Sequence, residues 1–272
     1  MPKKADLHVH TTFSDGTFPP EKVVEYASKI GLDCIAICDH DVVDGIEPAL
    51  RAGEKWGVEI IPAIEVTAEK HGHEIHILGF YIDWQDKEFQ KKLKQLCRQR
   101  KKRIYEMVGK LKGIGLALEA EEVFEAGGEG SVGRLHLATV LRKKGYTNTV
   151  EEAFRKYIGD GKPCYVAKIN LTPEEAIGEI IKAKGIPVLA HPGVTAKDEF
   201  ILSYIKHGLM GIEVYHPEHT PVIVRHYEKL AKDLGLLITG GSDCHGLGKG
   251  RVLMGSVTVP YELVEKLRDG KR

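Results

Sequence analysis

The chain is organised around one stretch of sequence, Ala5-Asp-Leu-His-Val-His-Thr-Thr-Phe-Ser-Asp-Gly16. Its apolar part predicts a β-strand, in which residues two apart share a face, so His8 and His10 lie side by side. Asp15 follows in a Ser-Asp-Gly turn that can fold back toward the two imidazoles. Two neutral imidazoles and a carboxylate suit a divalent transition metal. A pair of polar residues on an edge strand explains His-x-His equally well, so the interpretation depends on the rest of the chain.

Composition indicates a globular protein. The chain has 272 residues, 42% hydrophobic and 29% charged, enough for one large domain or two smaller ones. Lys plus Arg (39) equal Asp plus Glu (39), so an anionic substrate must be held by local charge. No apolar run approaches the length of a membrane span and no apolar signal segment opens the sequence, so we expect a cytoplasmic protein without membrane association. The five scattered cysteines are consistent with reduced thiols.

Buried-strand patterns alternate with helical patterns about seven times, which predicts parallel βαβ units in a closed or distorted α/β barrel. No Gly-rich phosphate fingerprint follows the first strand, which disfavours an open nucleotide-binding sheet. The last strand is predicted at Val252–Val259. The strand patterns stop near residue 86 and resume near residue 166. We therefore predict a helical insertion at 86–165 within a barrel of residues 1–85 and 166–272.

Candidate metal ligands lie at the ends of several predicted strands. In a parallel barrel these carboxyl ends share one face, where active sites form. Each residue alone is more typical of a cap or a surface position, but together they indicate one site. The strand-end candidates are His8, His10, His40, Glu65, His191, Asp243 and His245, and His76 lies within a strand, facing away from its apolar neighbours.

A set of motifs, in order along nearly the whole chain, resembles the PHP (polymerase and histidinol phosphatase) family. The likeness is greatest to its nucleoside 3′,5′-bisphosphate phosphatases and short-RNA 5′→3′ exonucleases. It implies a distorted (β/α)7 barrel that holds three divalent metal ions, with the insertion covering the active site. Besides the first stretch, the motifs are Asp39-His-Asp41, Ile64-Glu65, Ile75-His-Ile-Leu-Gly79, Gly133-Arg-Leu-His136, Ala190-His-Pro-Gly193, Gly211-Ile-Glu-Val-Tyr-His-Pro217 and Gly241-Ser-Asp-Cys-His-Gly246.

The resemblance implies nine metal ligands, all of them present in this sequence. One ion would take His8, His10 and Asp243, and share the bridging Glu65. A second would take Glu65, His76 and His191, and a third Asp15, His40 and His245. The metal is left open among Mn²⁺, Fe²⁺ and Zn²⁺, because imidazole and carboxylate ligands suit each of them.

The sequence departs from the family pattern at three positions: Cys38 replaces Thr, Leu135 replaces Pro, and Val194 replaces a residue that is often basic. The last two border the substrate pocket, so substrate detail stays open. Cys38 and Cys244, which stand near or beside ligands, are alternative thiolate donors. Strand alternation disfavours them, because it turns the neighbour of a ligand away from the site.

Arg134 and His136, in the predicted insertion, are candidate phosphate ligands. A phosphate ester needs charge neutralisation beyond the metals, and a guanidinium can bind two oxygens at once. The resemblance implies this role for both residues, and Lys162 is a weaker candidate. His216 and His219 are candidates for assisting leaving-group protonation.

Eleven Lys or Arg residues between Lys87 and Lys112 form a basic helix, which is one pattern of nucleic-acid binding. Its apolar stripe is intact and few aromatics interleave, so a solvated face is the favoured interpretation.

We therefore predict a metal-dependent phosphoric ester hydrolase, in which a metal-bridged hydroxide attacks phosphorus while Arg134 and His136 offset charge. The expected substrates are nucleoside 3′,5′-bisphosphates or short 5′-phosphorylated oligoribonucleotides, with a histidinol-phosphatase-like or other small-molecule phosphomonoesterase as the alternative. Two further alternatives are an amidohydrolase-type hydrolase, which typically adds a metal-bridging lysine, and a non-catalytic metal-binding module. No obligate protein partner is evident, and the oligomeric state stays open.

Overall fold

The computed structural model describes residues 2–128, 130–167, 171–195, 198–248 and 250–270. Its strands form one sheet whose order follows the sequence, with the last strand added beside the first. They are β1 (Lys4–Val9), β2 (Cys34–Ile37), β3 (Glu59–Lys70), β4 (His73–Phe80), β5 (Ile186–Leu189), β6 (Gly211–Tyr215), β7 (Leu237–Gly240) and β8 (Val259–Pro260). The order across the sheet is β7-β6-β5-β4-β3-β2-β1-β8.

The segment that follows β7 closes the sheet against β1. Val9 and Cys244 form a parallel bridge, the His10 N–H donates to the Cys244 carbonyl at 2.9 Å, and the Cys244 N–H donates to the His8 carbonyl at 3.3 Å. The sheet thus curls into a nearly closed barrel with helices around it. The predicted α/β fold, a distorted barrel with helices between its strands, is confirmed.

The prediction of uniformly parallel strands is wrong at β4. The pairs β1–β2, β2–β3, β5–β6 and β6–β7 are parallel, but β4 runs antiparallel to both β3 and β5. No helix separates β3 from β4. They are joined by His71 and Gly72, whose φ angles are +54° and +80°, as a tight two-residue hairpin turn requires.

The last strand is also shorter than its alternating sequence predicts. Of the predicted strand Val252–Val259, only Val259 is in β8, which pairs antiparallel with the start of β1. The preceding residues form turns, in which Gly255 has a φ of +77° and donates its N–H to Asp6 Oδ2 at 3.0 Å. Because the Gly255 N–H is already bonded to the buried Asp6 carboxylate, it cannot pair with a neighbouring strand.

Helices pack around the barrel with their apolar faces inward. Thr172 and Glu175 form a reciprocal capping box at the start of the helix that begins at Pro173. No described helix combines the length and apolarity that crossing a membrane requires. The barrel helices are α1 (Pro20–Lys29), α2 (Ile46–Trp56), α7 (Pro173–Lys182), α8 (Pro192–Thr195), α9 (Ile201–Lys206), α10 (Pro221–Leu234) and α11 (Tyr261–Asp269), with a 3-10 turn at Asp198–Phe200.

The region predicted as an insertion is helical and has its own apolar cluster. It contains α3 (Lys87–Gly113), α4 (Ala120–Gly127), α5 (Arg134–Lys143), α6 (Val150–Ala153) and a π-helical turn at Phe154–Ile158. Phe89 and Leu96, in the first part of α3, pack with the barrel helices. Ile104 and Leu111, later in the same helix, pack against α4 and α5. Its division from the barrel at residues 86 and 165 stays a prediction.

Candidate active site

Glu65, on β3, lies at the centre of a cluster of histidines. Its Oε1 lies 2.7 Å from His76 Nδ1 and 3.0 Å from His191 Nε2. Its Oε2 lies 3.1 Å from His8 Nε2 and 3.2 Å from His10 Nε2. The two oxygens of one buried carboxylate therefore face two different groups of imidazoles, as expected of a residue that bridges two cations.

A second group forms around Asp15, in the turn after β1. Its Oδ1 lies 3.3 Å from His245 Nε2, and its Oδ2 lies 3.9 Å from His40 Nε2. The rings of His10 and His245 stack with their centres 4.1 Å apart. The turn thus folds back toward the first histidine pair, as its sequence predicts.

Asp243 joins the first group from the segment after β7. Its Oδ1 lies 3.1 Å from His10 Nε2 and 3.5 Å from His8 Nε2. Asp243 has a φ of +48° and His191 a φ of +25°, both in a region that non-glycine residues rarely adopt. Strained backbone at strand ends is typical of residues held in place for a function.

The described residues form three groups whose potential ligand atoms lie within 4.8 Å of one another: His8, His10, Glu65 and Asp243; His10, Asp15, His40 and His245; and His40, Glu65 and His76. The first matches a predicted set, and the second is a predicted set with His10 added. The third contains His40 in the place predicted for His191, although His191 Nε2 lies only 3.4 Å from His76 Nδ1. All nine predicted ligands meet at one site, and their assignment to individual ions stays a prediction.

Two buried atoms test whether these residues fit cations. His10 Nε2 and Asp15 Oδ1 are buried and form no hydrogen bond with the described residues, although ionisable groups lie close to both. Buried polar atoms are normally paired, because leaving one unpaired costs free energy. A divalent cation would satisfy both atoms, so this donor set fits metal ions.

The electrostatics of the site favour ionised carboxylates. Burial alone would raise the pKa of Glu65, but the neighbouring His40 and His76 lower it well below its usual value. The pKa of Asp15 is likewise lowered, against the effect of burial, by His245 and His40.

A cavity of about 610 Å³ opens over these residues, a size that suits a small-molecule ligand. Residues from the helical region also line it, among them Arg134 and Lys162. His136 is not among the described residues that line it. Its Nδ1 accepts the N–H of Gly133 at 3.1 Å at the start of α5. Arg134 is therefore placed to meet a ligand directly, and the predicted phosphate role of His136 stays a prediction.

Comparison with known proteins identifies the family. The model of the PHP domain matches residues 6–159, more than half of the chain. A 5′-3′ exoribonuclease of Haemophilus influenzae is 32% identical over 96% of this chain and 99% of its own. The chain belongs to the PHP family.

Further comparisons agree with this assignment. A 3′,5′-nucleoside bisphosphate phosphatase of Chromobacterium violaceum is 31% identical to this chain, and the match covers 90% of this chain and 88% of the phosphatase. The crystal structure of a candidate metal-dependent phosphoesterase from Bifidobacterium adolescentis superposes with a TM-score of 0.89, at 30% identity, covering 98% and 96% of the two chains. The PHP chain is a metal-dependent phosphoesterase, and the prediction of a phosphoric ester hydrolase is confirmed.

Glu213, on β6, supports the PHP site but is absent from the predicted site residues. Its Oε1 accepts a hydrogen bond from His8 Nδ1 at 2.9 Å, and its Oε2 accepts the N–H of His191 at 2.8 Å. Because a carboxylate can only accept, this bond places a ring proton on His8 Nδ1 and directs Nε2 toward Glu65. The available signal was a carboxylate inside the otherwise apolar strand Gly211-Ile-Glu-Val-Tyr215.

Asp39 holds the turn that carries Asp15. It accepts hydrogen bonds from the Thr11 N–H at 2.8 Å, the Thr11 hydroxyl at 2.7 Å and the Ser14 hydroxyl at 2.5 Å. The turn is also tight at Gly16, where a Cβ would lie 2.7 Å from the carbonyl oxygen of His10. The motif Asp39-His-Asp41 therefore supplies a supporting residue on each side of its ligand candidate, His40.

Asp41 and Arg100 link the helical region to the PHP site. Arg100 Nε donates to Asp41 Oδ2 at 2.6 Å, and the other oxygen of Asp41 accepts the Thr67 N–H at 2.8 Å. Asp41 has a φ of +55° and is fully buried. Arg100 lies four residues from both Leu96 and Ile104 on the apolar stripe of α3, which was the signal that distinguished it from the surface cations of this helix.

The remaining candidates have different surroundings. His216 lines the cavity, and its Nε2 lies 3.5 Å from Asp243 Oδ2. His219 donates from Nδ1 to the Val214 carbonyl at 2.8 Å and accepts the Gly193 N–H at Nε2 at 3.1 Å, so it supports the loop after β5.

The Cys38 thiol points to the Leu7 carbonyl, and burial raises its pKa. None of the candidate metal-binding groups formed by the described residues contains a cysteine.

Proposed function

We propose that this PHP phosphoesterase hydrolyses phosphate from nucleoside 3′,5′-bisphosphates or short 5′-phosphorylated oligoribonucleotides. One observation carries the proposal: the residues around Glu65 and the side chain of Arg134 line the same cavity. A site for one phosphoryl group and a separate cation for a second suit a substrate with two phosphates. The two curated relatives described above act on such a nucleotide and on RNA, which supports this class.

We propose three divalent ions, Mn²⁺, Fe²⁺ or Zn²⁺, held by the predicted ligands. His8, His10 and Asp243 would hold one ion and share Glu65 with a second, which His76 and His191 complete. Asp15, His40 and His245 would hold the third. Such ions supply a water of lowered pKa as the nucleophile and neutralise phosphoryl oxygens.

The residues of the chain supply orientation and further charge. Glu213 fixes the ring of His8, and Asp39 fixes the turn that carries Asp15. Arg134 binds the phosphate that does not react, with His136 at the same end of α5, and so positions the phosphate that does. The substrate is the one partner that the proposal requires, and the cytoplasmic location remains part of it.

Substrate profiling tests the proposal. Purified protein with Mn²⁺ is assayed for kcat/KM on adenosine 3′,5′-bisphosphate, a 5′-phosphorylated RNA pentamer, histidinol phosphate and a panel of N-acyl amides. We expect the first two to be the best substrates. A histidinol phosphate rate above both would support the small-phosphomonoester alternative. Turnover of amides alone would support the amidohydrolase alternative, and bound metal without any turnover would support a non-catalytic module.

A further inference from the structure

The guanidinium of Arg134 is held by two carboxylates. Its Nη1 lies 2.7 Å from Asp160 Oδ1, and its Nη2 lies 3.1 Å from Glu74 Oε1. The group lies over the rings of Phe154 and Tyr165, 5.5 and 5.4 Å from their centres. A phosphate that approaches Arg134 from the cavity therefore competes with carboxylates that already occupy its donors.

The two carboxylates differ in how firmly they are fixed. The side chain of Glu74 is 11% exposed, and it also contacts Arg103 Nη1 at 2.7 Å and His76 Nε2 at 3.1 Å. The side chain of Asp160 is 32% exposed. Among the ion pairs of the described residues, Arg134 is the one cationic partner of Asp160. Removing Glu74 would break several buried contacts, whereas moving Asp160 breaks one ion pair and a 3.2 Å hydrogen bond from the Glu74 N–H.

The surroundings of Asp160 allow this exchange. Asp160 stands between two glycines in the turn Gly159-Asp-Gly-Lys162, and Gly161 has a φ of +72°. Gly159, Asp160 and Lys162 all line the cavity. The exposed carboxylate can thus turn toward water without displacing a packed side chain.

We propose that Asp160 is an exchangeable counter-ion of Arg134 that limits how tightly the non-reacting phosphate is held and so favours product release. This inference rests on the proposed function, in which Arg134 binds that phosphate. After the other phosphate is hydrolysed, the product still carries a phosphate at Arg134. The return of Asp160 to the guanidinium replaces that contact, so the arginine remains paired when the product leaves.

The test compares Asp160→Asn with Glu151→Gln, which removes a negative charge from the same cavity wall without an ion pair to Arg134. The substrate is adenosine 3′,5′-bisphosphate with Mn²⁺, and the readouts are KM, kcat and the inhibition constants of adenosine 5′- and 3′-monophosphate. Both changes are also made in the Arg134→Ala background. Asn keeps an oxygen that can accept the Glu74 N–H, and Asp160→Ala provides a second variant in case Asn fails to fold.

With Arg134 present, we expect Asp160→Asn to lower KM and the inhibition constant of at least one monophosphate by about five- to tenfold, with kcat unchanged or reduced. The effect should exceed that of Glu151→Gln by at least threefold and disappear in Arg134→Ala. Unchanged or raised constants, or an equal effect without Arg134, would overturn the counter-ion proposal alone. No turnover of either the bisphosphate or the 5′-phosphorylated RNA pentamer by the unmodified enzyme would overturn the proposed function and this inference together.

Discussion

Glu213 Oε1 accepts a hydrogen bond from His8 Nδ1 at 2.9 Å, and both residues are fully buried. The bond orients a proposed metal ligand that otherwise could rotate or exchange its ring proton. We expect Glu213→Ala to weaken Mn²⁺ binding about 10- to 100-fold, the usual effect of losing such a partner. Calorimetric titration of the metal-free protein measures it, with Glu218→Ala as a comparison on the cavity rim. Unchanged affinity would show that packing alone orients His8.

The second prediction concerns the number of metal ions. Because the oxygens of Glu65 face two groups of imidazoles, we expect three ions per chain in the unmodified protein and fewer in Glu65→Gln. Elemental analysis of dialysed protein gives the count. One tightly bound ion per chain under metal-replete conditions would contradict the three-ion arrangement.

A third prediction separates metal ligands from the phosphate contact. Asp243→Asn should lose metal together with activity, because an amide oxygen is a poorer ligand than a carboxylate. Arg134→Ala should keep its metal content and lose kcat/KM. Metal analysis and kinetics on the same preparations distinguish the two. If Arg134→Ala kept the kcat/KM of the unmodified enzyme on every phosphoester tested, Arg134 would not be a phosphate contact.

The fourth prediction concerns the buried pair of Arg100 and Asp41. Arg100→Met should lower the free energy of unfolding by about 3–5 kcal/mol, because a buried carboxylate loses the charge that offsets it. Lys101→Met, at the exposed neighbouring position of the same helix, should change it by less than about 0.5 kcal/mol. Urea unfolding measures both. Equal effects of the two substitutions would show that the pair does not stabilise the fold.

The fifth prediction concerns substrate preference. A second phosphate at Arg134 should raise kcat/KM for adenosine 3′,5′-bisphosphate about ten- to a hundredfold over the matching monophosphates, through about 1.5–3 kcal/mol from a charged hydrogen bond. The preference should shrink in Arg134→Ala. Equal kcat/KM for the bisphosphate and the monophosphates in the unmodified enzyme would show that the enzyme recognises only one phosphate.

The sequence could predict where the ligand candidates meet, because strand periodicity places His8 and His10 on one face and chain order places the others at strand ends. It could not predict the direction of β4, since periodicity is the same in parallel and antiparallel strands. Glu213 and Arg100 were missed for a related reason. Their importance depends on which side chain each one faces, and that partner is distant in sequence.

The direction of β4 also decides where α3 starts. Phe80, the last residue of β4, pairs with Ile186, the first residue of β5. The chain therefore leaves the sheet at the end of the barrel opposite the candidate metal ligands. From Lys87, the helix must rise 13 residues, about 20 Å at 1.5 Å per residue, before Arg100 meets Asp41 beside the site. The length of α3 thus sets the distance between the end of the barrel where the helix begins and the cavity where Arg100 lies. Deleting one turn of α3 would shift Arg100 and the following helical region by about 5.4 Å relative to the barrel, while every candidate metal ligand stayed unchanged. That shift is longer than a hydrogen bond to a phosphate oxygen.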